Sequence, residues 1–344
     1  MIHVVVVDDS GFMRIALRKI IEAEGDIRVV GEARDGEEAL SLVSKLKPDI
    51  VTMDIEMPRM DGLAATAAIG ELSHPRPTVI MVSNRTQEGA EATVRALSLG
   101  AVDFVSKSTS FVGTDLGHID IDLRPKIRFW AERRSQTKPP LDRLYVPERR
   151  RIARPTGPID LIVVAVSTGG PQVLPRLLNA MGPVKPPIAI AQHMPDLFTR
   201  SLAEFLSNET KLKVREQAMR MALEPRSVTI LQGGRDAVVA PTGRSGFEIR
   251  PAVADSTVHP SANLLFKSAA MVARRPVAVI LTGMGDDGTE GAQHFKQRDL
   301  PVLVQTPESC IVWGMPSAAI KAGVATEILD VEAIGKTLSG WAKE

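Results

Sequence analysis

Short apolar runs that alternate with helical stretches constrain the fold of this chain more than any other feature. Four such runs lie in its first third, at positions 2–7, 50–53, 78–82 and 101–105. Each run is rich in β-branched residues, and helical stretches separate the runs, so each reads as a buried strand of a parallel sheet. The strands of an open parallel sheet end at one shared edge, where ligand crevices form. We therefore expect the residues that follow these runs to lie close together.

Polar side chains stand at the end of every one of these runs. Asp8 and Asp9 follow the first run, Asp54 the second, Ser83 the third and Lys107 the fourth. Neighbouring carboxylates repel one another unless a cation intervenes, and a hard divalent ion such as Mg²⁺ suits an all-oxygen site. An aspartate can also accept a phosphoryl group as an acyl phosphate. We therefore predict that Asp54 is phosphorylated, that Lys107 pairs with the phosphoryl charge, and that Ser83 donates a hydrogen bond to it.

The acidic pair after the first run has a simpler explanation when it is taken alone. Asp9 or Ser10 could be the N-cap of the helix that follows, and a cap needs no ligand. The match at all four strand ends together favours the phosphoryl site.

The first part of the chain, residues 1 to about 134, resembles the receiver domains of two-component signalling. The resemblance is carried by Val7-Asp8-Asp9-Ser10, by Met53-Asp54-Ile55-Glu56-Met57-Pro58-Arg59-Met60-Asp61-Gly62, by Ser83 and by Lys107. It implies a flavodoxin-like fold with a doubly wound, five-stranded parallel sheet. It also implies that a histidine kinase phosphorylates Asp54.

The same resemblance implies a set of metal ligands and a switch. The implied Mg²⁺ ligands are Asp9, Asp54 and the backbone carbonyl of Glu56, with Asp8 nearby. Phe104 is implied to reorient together with Ser83 when the domain is phosphorylated. One position departs from the family pattern, because Ser108 follows Lys107 where proline is usual.

The composition agrees with two domains and excludes several classes of protein. The chain has 344 residues, more than most single cores contain, and its 44% hydrophobic and 24% charged residues are ordinary for a globular protein. A formal net charge of +1 provides no field for binding nucleic acid or an anionic membrane. No apolar run reaches the roughly 20 residues of a transmembrane helix. We expect neither nucleic-acid binding nor membrane insertion.

The N-terminal residues and the single cysteine favour a cytoplasmic location. The chain passes from Met1 directly into a predicted strand, and we expect no signal peptide. Cys310 is the only cysteine, which excludes an internal disulfide and fits a reducing compartment. Cys310 reads as a small buried hydrophobic residue, and a reactive thiol is the alternative.

A segment rich in proline and arginine follows a predicted amphipathic helix at about 121–134. It contains Pro139-Pro140, Pro147, Arg149-Arg150-Arg151, Pro155 and Pro158. Prolines prevent a long helix, and few apolar residues are present for a core, so the segment reads as a semi-rigid linker. Its arginines could bind an acidic partner or simply form a solvated hinge. We therefore assign residues 1–134 to the receiver, 135–158 to the linker and 159–344 to a second domain.

The second domain repeats the pattern of buried strands that end in polar residues. Its apolar runs lie at 159–166, 187–192 and 277–281. Ser167 and His193 directly follow the first two runs, and a glycine-rich turn that contains Asp286 and Asp287 follows the third. A serine needs a base to become nucleophilic, and an imidazole needs a carboxylate to hold its tautomer. We therefore expect a Ser-His-Asp triad, in a chain order that differs from that of the α/β-hydrolases.

Each member of this triad has an alternative explanation from the residues alone. The turn after Ser167, with Gly169, Gly170 and Pro171, could instead bind phosphate at a helix N-terminus. His259 is a competing base. An aspartate pair between glycines could simply build a turn. We expect no metal here, because no further histidine or thiol lies at ligand spacing.

Residues 159 to about 335 resemble the catalytic domain of the chemotaxis protein-glutamate methylesterases, the CheB family. The resemblance is carried by Ser167-Thr168-Gly169-Gly170, Gln192-His193-Met194-Pro195, Leu281-Thr282-Gly283-Met284-Gly285-Asp286-Asp287-Gly288 and Ser309-Cys310-Ile311-Val312-Trp313-Gly314-Met315-Pro316. It implies a three-layer α/β domain with a mostly parallel sheet, and it places the triad acid at Asp287. We expect backbone N–H groups near Thr168 and Met284 to stabilise the oxyanion.

The activity implied by this resemblance is hydrolysis of glutamate methyl esters on methylated chemoreceptors. Deamidation of receptor glutamines is implied as a second reaction. We expect no cofactor in this domain. Val166, the 231–236 loop, His259 and Asn263 depart from the family pattern around the expected cleft, which bears on receptor preference. A receiver-regulated adaptor that binds receptors or kinase with little catalysis is the alternative. A transcription regulator would instead need a helix-turn-helix and a basic face.

Overall fold

A computed structural model describes the chain as two compact units, Met1–Thr137 and Lys138–Glu344. The described residues are 1–73, 75–84, 86–107, 117–135, 155, 157–217, 219–243, 246–253 and 255–343. Most of the predicted linker, 135–158, lies outside them, and so does Ser108. The helix expected at about 121–134 extends over Gly117–Ser135. Each unit is described by itself.

The first unit is a five-stranded parallel sheet with a helix between successive strands. The strands are β1 (Ile2–Val7), β2 (Ile27–Ala33), β3 (Ile50–Met53), β4 (Thr78–Asn84) and β5 (Asp103–Lys107). The helices are α1 (Gly11–Ile21), α2 (Gly36–Leu46), α3 (Gly62–Gly70), α4 (Gln87–Ser98) and α5 (Gly117–Ser135). The predicted doubly wound, five-stranded sheet is confirmed.

The order of the strands, β2-β1-β3-β4-β5, places a crevice at the carboxyl ends of β1 and β3. The four valines of β1 are buried, so this strand lies at the centre of the core. Val7 of β1 pairs with Met53 of β3 in parallel register. The next residues along the two strands, Asp8 and Asp54, therefore leave the sheet side by side.

The second unit is built on a seven-stranded parallel sheet in the order β15-β14-β13-β6-β7-β10-β8, with β11, β12 and β9 in a separate antiparallel sheet. The strands are β6 (Leu161–Val166), β7 (Ile188–Gln192), β8 (Lys213–Glu216), β9 (Met221–Leu223), β10 (Ser227–Ile230), β11 (Asp236–Thr242), β12 (Gly246–Ala252), β13 (Pro276–Ile280), β14 (Val302–Gln305) and β15 (Glu327–Leu329). The helices are α6 (Gly170–Met181), α7 (Phe198–Thr210), α8 (Ala262–Val272), α9 (Thr289–Gln297), α10 (Met315–Lys321) and α11 (Val331–Lys343).

Helices cover both faces of the larger sheet. Leu161, Val163 and Ala165 of β6 belong to one buried cluster with Phe266 of α8 and Phe295 of α9. The intervening residues of β6 point to the opposite face, where α6 packs against α7 and α11. The predicted three-layer α/β fold with a mostly parallel sheet is therefore confirmed.

The chain reverses its direction of winding at β6. From β6 it crosses first to β7 on one side, and later to β13 on the other side. The loops after β6, β7 and β13 thus meet at one crevice outside the carboxyl ends of these strands. Ser167, His193 and the loop at 282–288 lie in these three connections.

Candidate functional site

An acidic pocket lies at the carboxyl ends of β1 and β3. Carboxylate oxygens of Asp8, Asp9 and Asp54 lie within 4.8 Å of one another. Lys107 Nζ, at the end of β5, is 3.0 Å from Asp8 Oδ2 and 2.8 Å from Asp54 Oδ2. Asp8, Asp54 and Lys107 are buried, and Asp9 is exposed. The carboxylates and the ammonium expected at the strand ends therefore meet in one pocket.

Burial and like charge shift the proton affinities in this pocket. Burial raises the pKa of Asp54 to about 6, the neighbouring Lys107 ammonium opposes this rise, and repulsion by Asp8 adds to it. The pKa of Lys107 is raised, because the charges of Asp54 and Asp8 outweigh the lowering by burial. The donor set consists of oxygens, so it fits a hard cation such as Mg²⁺. Such a cation would stabilise the ionised form of Asp54.

The N-cap of α1 is Ser10, and not Asp9. The Ser10 hydroxyl accepts a hydrogen bond from the N–H of Met13 at 3.3 Å. Arg14, which the sequence did not single out, donates to the carbonyl oxygens of Asp8 and Asp9 at 2.8 and 3.2 Å. Capping therefore leaves the Asp9 carboxylate available to a ligand, and Arg14 holds the backbone of the acidic pair.

The loop after β3, which contains the exposed Glu56, is held by a close approach at Gly62. The N–H of Gly62 donates to the Ile55 carbonyl at 2.9 Å. A Cβ atom at Gly62 would lie 1.9 Å from the Asp54 carbonyl oxygen, so no other residue fits there. Asp61 and Gly62 belong to the motif that resembles receiver domains, but the sequence alone did not indicate this contact.

Ser83 and Phe104 lie on the neighbouring strands β4 and β5. The buried Ser83 hydroxyl donates to the Gly89 carbonyl at 3.2 Å. Lys126 Nζ, from α5, lies 5.4 Å from the centre of the Phe104 ring and donates to the Phe104 carbonyl at 2.6 Å. Lys126 also pairs with Asp103 at 2.7 Å. The aromatic switch candidate is thus held by a lysine that no sequence motif indicated.

A hydrogen bond joins His193 to Asp287 in the second unit. His193 Nε2 lies 2.8 Å from Asp287 Oδ2, and the Asp287 side chain is buried. Asp286, the other acid of the turn, is exposed, and its carbonyl accepts from the N–H of Thr289 at 3.0 Å. The geometry therefore places Asp287, and not Asp286, against the imidazole.

The N-terminus of α8 holds the Asp287 carboxylate. Oδ2 accepts from the N–H of Ala262 at 2.6 Å, and Oδ1 accepts from that of Asn263 at 2.9 Å. Burial raises the pKa of Asp287, but the hydrogen bonds from His193 and these two amides outweigh it, so the net pKa is lowered. An ionised carboxylate only accepts hydrogen bonds, so Nε2 of His193 carries the proton. This tautomer leaves Nδ1 as the basic nitrogen.

Strand pairing places Ser167 next to His193. Val166 of β6 pairs with Gln192 of β7 in parallel register, and the N–H of His193 donates to the Val166 carbonyl at 3.1 Å. Ser167 and His193 are therefore the next residues on adjacent strands. The N–H of Ser167 donates to the Thr282 carbonyl at 3.0 Å, which ties the serine turn to the loop after β13.

Thr168 and Met284 supply two backbone N–H groups near Ser167. Within the part of the chain that the structure describes, neither N–H has a protein acceptor. A Cβ atom at Gly283 would lie 2.7 Å from Ser167 Cβ and 2.3 Å from Met315 Sδ. Glycine at 283 therefore allows the peptide of Met284 to approach the serine.

His259, the competing base, contacts a different carboxylate. His259 Nδ1 lies 3.0 and 2.9 Å from the two carboxylate oxygens of Asp236. Asp236 Oδ1 also accepts from the N–H of Ser261, the N-cap of α8, at 2.8 Å. Two positions that depart from the family pattern thus form a pair, and this pair braces the helix end that holds Asp287.

Gln192 and Asn263 are site residues that sequence reasoning missed as such. Gln192 Nε2 donates to the Ser167 carbonyl at 2.8 Å. Asn263 Oδ1 accepts from the N–H groups of Gly288 and Gly291, both at 2.9 Å, and so caps α9. A polar side chain at the end of a fully buried strand was the available signal for Gln192. Cys310 is buried, as a small hydrophobic residue would be.

Known proteins match this chain over nearly its whole length. The CheB methylesterase family matches residues 162–338, and the response regulator receiver domain family matches residues 4–112. A protein named protein-glutamate methylesterase/protein-glutamine glutaminase 1, from Oleidesulfovibrio alaskensis, is 40% identical, with 98% of each chain covered. The chain belongs to the CheB methylesterase family.

Further comparisons agree with this membership. The relative from Nitratidesulfovibrio vulgaris named protein-glutamate methylesterase/protein-glutamine glutaminase 2 is 40% identical over 96% of this chain and 97% of its own. The crystal structure of the Thermotoga maritima CheB methylesterase catalytic domain is 32% identical, covers 53% of this chain and 97% of that chain, and has a TM-score of 0.50. The predicted family and enzyme class are thus confirmed. None of the described helices combines the length and hydropathy needed to cross a bilayer.

Proposed function

We propose that this CheB-family protein hydrolyses glutamate methyl esters on chemoreceptors, with release of methanol, and deamidates receptor glutamines at the same site. The names of its relatives support both substrates. The observation that carries the proposal is the 2.8 Å hydrogen bond between His193 Nε2 and Asp287 Oδ2. Ser167 and His193 follow two strands that pair with each other. A carboxylate-held imidazole is what a serine needs to become a nucleophile.

Ser167 is the nucleophile in this proposal. Its Oγ attacks the ester carbonyl while His193 Nδ1 takes the hydroxyl proton, and Asp287 stabilises the imidazolium that forms. When the tetrahedral intermediate collapses, the methoxy oxygen takes the proton from Nδ1 and leaves as methanol. Water then attacks the acyl-enzyme with the same base, which yields glutamate and restores the serine. An amide substrate would release ammonia in the first stage.

The N–H groups of Thr168 and Met284 are the proposed oxyanion donors. Their lack of acceptors within the described residues supports this role. Each such donor is worth roughly 3 kcal/mol of transition-state stabilisation. The two groups come from different loops, so both loops must be in place before the oxyanion is stabilised.

Asp54 is the proposed phosphorylation site, and a histidine kinase is the proposed donor. The contact of Asp54 with Lys107, whose ammonium lies 2.8 Å from Asp54 Oδ2 and 3.0 Å from Asp8 Oδ2, supports this role, because Lys107 can pair with the phosphoryl charge. Ser83 would donate a hydrogen bond to the phosphoryl group, and Phe104 would reorient with it. Phosphorylation then regulates the hydrolase activity of the second unit.

The acidic pocket is the proposed Mg²⁺ site. The residues that would hold the ion are Asp9, Asp54 and the backbone carbonyl of Glu56, with Asp8 nearby. The close grouping of the three carboxylates supports this assignment. The ion would supply positive charge beside the phosphoryl oxygens. Because its substrates and kinase would be met there, the cytoplasm is the proposed location.

An adaptor that binds receptors or kinase without turnover is the competing function. Such a protein would need no ionised carboxylate held by two helix amides and an imidazole. The hydrogen bonds that His193, Ala262 and Asn263 make to the Asp287 carboxylate therefore favour the enzyme.

The test is methanol release from methylated receptor membranes by Ser167→Ala. We expect release to be lost while circular dichroism and Tm are unchanged, because the serine is a nucleophile and not a core residue. Ser207→Ala, on α7, is the matched control and should be fully active. Sustained methanol release by Ser167→Ala would contradict the assignment of Ser167 as the nucleophile. Receptor binding without methanol release by the wild-type protein would support the adaptor function.

A further inference from the structure

The buried side chain of Gln192 connects the serine turn to the histidine turn. It is 1% exposed. Its Nε2 donates to the Ser167 carbonyl at 2.8 Å and to the His193 carbonyl at 3.3 Å. An amide nitrogen donates and cannot accept, so two carbonyl oxygens determine which way this amide faces.

The bond to the Ser167 carbonyl sets the direction of the Thr168 N–H. These two groups belong to one peptide unit, which is planar and trans, so they point in opposite directions. The Ser167 carbonyl is held by Gln192 Nε2 and by the N–H of Gly170 at 3.0 Å. The Thr168 N–H therefore points away from the buried glutamine, to a side where no described residue accepts from it.

The other candidate oxyanion donor, the N–H of Met284, is aimed in the same way. The carbonyl of its peptide unit, from Gly283, accepts from the N–H groups of Gly314 and Met315 at 3.0 and 2.9 Å. In both peptide units, the carbonyl oxygen opposite the N–H donor thus accepts two hydrogen bonds. For Met284 both partners are backbone groups, whereas for Thr168 one partner is a side chain that mutation can remove.

The oxygen of the same glutamine side chain has no such partner. Gln192 Oε1 is buried without a hydrogen bond among the described residues. A Cβ atom at Gly170 would lie 1.8 Å from it, so glycine at the start of α6 provides the space. An unpaired buried carbonyl is unfavourable, and an apolar side chain of the same size would avoid that cost. Packing alone therefore does not explain a glutamine here.

We propose that Gln192 is a positioning residue that aims the Thr168 N–H at the oxyanion of the transition state. The inference rests on the proposed role of Ser167 as nucleophile. A donor that is aimed in advance stabilises the developing charge without reorganisation. Without Gln192, the N–H of Gly170 would be the one remaining donor to the Ser167 carbonyl among the described residues, and the peptide that carries the Thr168 N–H would gain freedom to rotate.

Gln192→Met is the first test, because it keeps the size of the side chain, removes the donor and adds no charge. We expect kcat for methanol release to fall roughly tenfold or more with KM for methylated receptor membranes unchanged, since complete loss of an oxyanion donor costs about 10²–10³ in kcat. Gln217→Met, at a buried glutamine just after β8, controls for the loss of any buried amide and should keep its kcat. A kcat for Gln192→Met within about a factor of two of the wild type would overturn the proposal.

Gly170→Ala is the second test, because it disturbs the Gln192 side chain without replacing it. Its methyl group would displace the Gln192 amide, so we expect a similar fall in kcat, and no further fall when it is added to Gln192→Ala. If Gln192→Met does not fold, Gly170→Ala and Gln192→Ala decide the question, alone and in combination. Losses in kcat that add fully in the double variant would overturn the proposal. Turnover by Ser167→Ala would refute the proposed function itself, whereas an inactive Ser167→Ala beside a fully active Gln192→Met would refute the role of Gln192 alone.

Discussion

Asp54 and Asp287 are buried carboxylates beyond the carboxyl ends of parallel strands in the two units, and their pKa values shift in opposite directions from the ordinary value. Asp54 directly follows β3, whereas Asp287 lies in the loop seven residues after the end of β13, and 6% and 5% of their surfaces are exposed. Burial raises the pKa of Asp54 to about 6 even with Lys107 beside it, and the neighbouring Asp8 adds to the rise. Burial acts in the same direction on Asp287, but hydrogen bonds from His193 and from the first amides of α8 lower its net pKa.

The difference lies in the groups that face each carboxylate. Asp287 receives donors from an imidazole, from a helix N-terminus and from Gly288, so its charge is stabilised without any added ion. Asp54 shares one ammonium with Asp8 and receives one backbone N–H, from Ile55 at 2.8 Å. A buried carboxylate beyond the carboxyl end of a parallel strand can therefore be a permanent anion or one that awaits a cation and a phosphoryl group.

The largest effect should follow from removing the permanent anion. Asp287→Asn should lower kcat for methanol release by about 10⁴, because the amide can hold His193 in the wrong tautomer. Asp286→Asn, at the exposed neighbouring position, is the matched control and should leave kcat unchanged. Near-normal turnover by Asp287→Asn would show that the imidazole does not need this carboxylate.

A smaller and conditional effect should follow from changing the modifiable anion. Asp54→Asn should leave the basal rate intact and abolish the stimulation by a small-molecule phosphodonor, because an amide cannot form the acyl phosphate. Asp49→Asn, just before β3 at the opposite edge of the sheet, should respond like the wild type. Stimulation of Asp54→Asn to the wild-type level would show that phosphorylation of Asp54 does not regulate the activity.

The smallest effect should be a pH dependence of metal binding in the receiver. Asp54 has a raised pKa of about 6, so a proton must leave before the carboxylate can bind Mg²⁺. The apparent Mg²⁺ affinity should rise by up to about tenfold per pH unit below pH ~6 and level off above it. Calorimetric titration of Mg²⁺ at several pH values measures this, with Asp54→Asn as the control. A pH-independent affinity of the wild-type protein would contradict the raised pKa.

Much of the fold and of both sites could be predicted because the relevant signals are local. The strands β3, β6 and β7 are short, largely apolar runs, and the residue that follows each run lies at the ligand edge of the sheet. Ser167, His193 and Asp54 could be located in this way. Asp287 could be chosen over Asp286 only by the family pattern, and its contact with His193 agrees with that choice.

The groups that tune these sites could not be predicted from local patterns. The amide of Ala262 that holds Asp287 lies 25 positions away in the chain, and an ordinary helix start gives no sign of the carboxylate it will meet. The pair of His259 with Asp236 depends on the tertiary arrangement in the same way. The three-residue strand β9 pairs with β12, with Leu223 opposite Phe247, so this pairing also depends on the tertiary arrangement, and β2 is interrupted by polar residues.

The central claim is that Ser167 is activated by His193 and Asp287 for attack on a carbonyl group. Its most direct test is the rate and site of labelling by a fluorophosphonate, read by intact mass and peptide mapping of the full-length protein. We expect a single adduct on Ser167, formed rapidly by the wild-type protein and by Asp286→Asn, and very slowly by Asp287→Asn. An adduct on another serine, or equal labelling rates for the wild type and Asp287→Asn, would contradict the account.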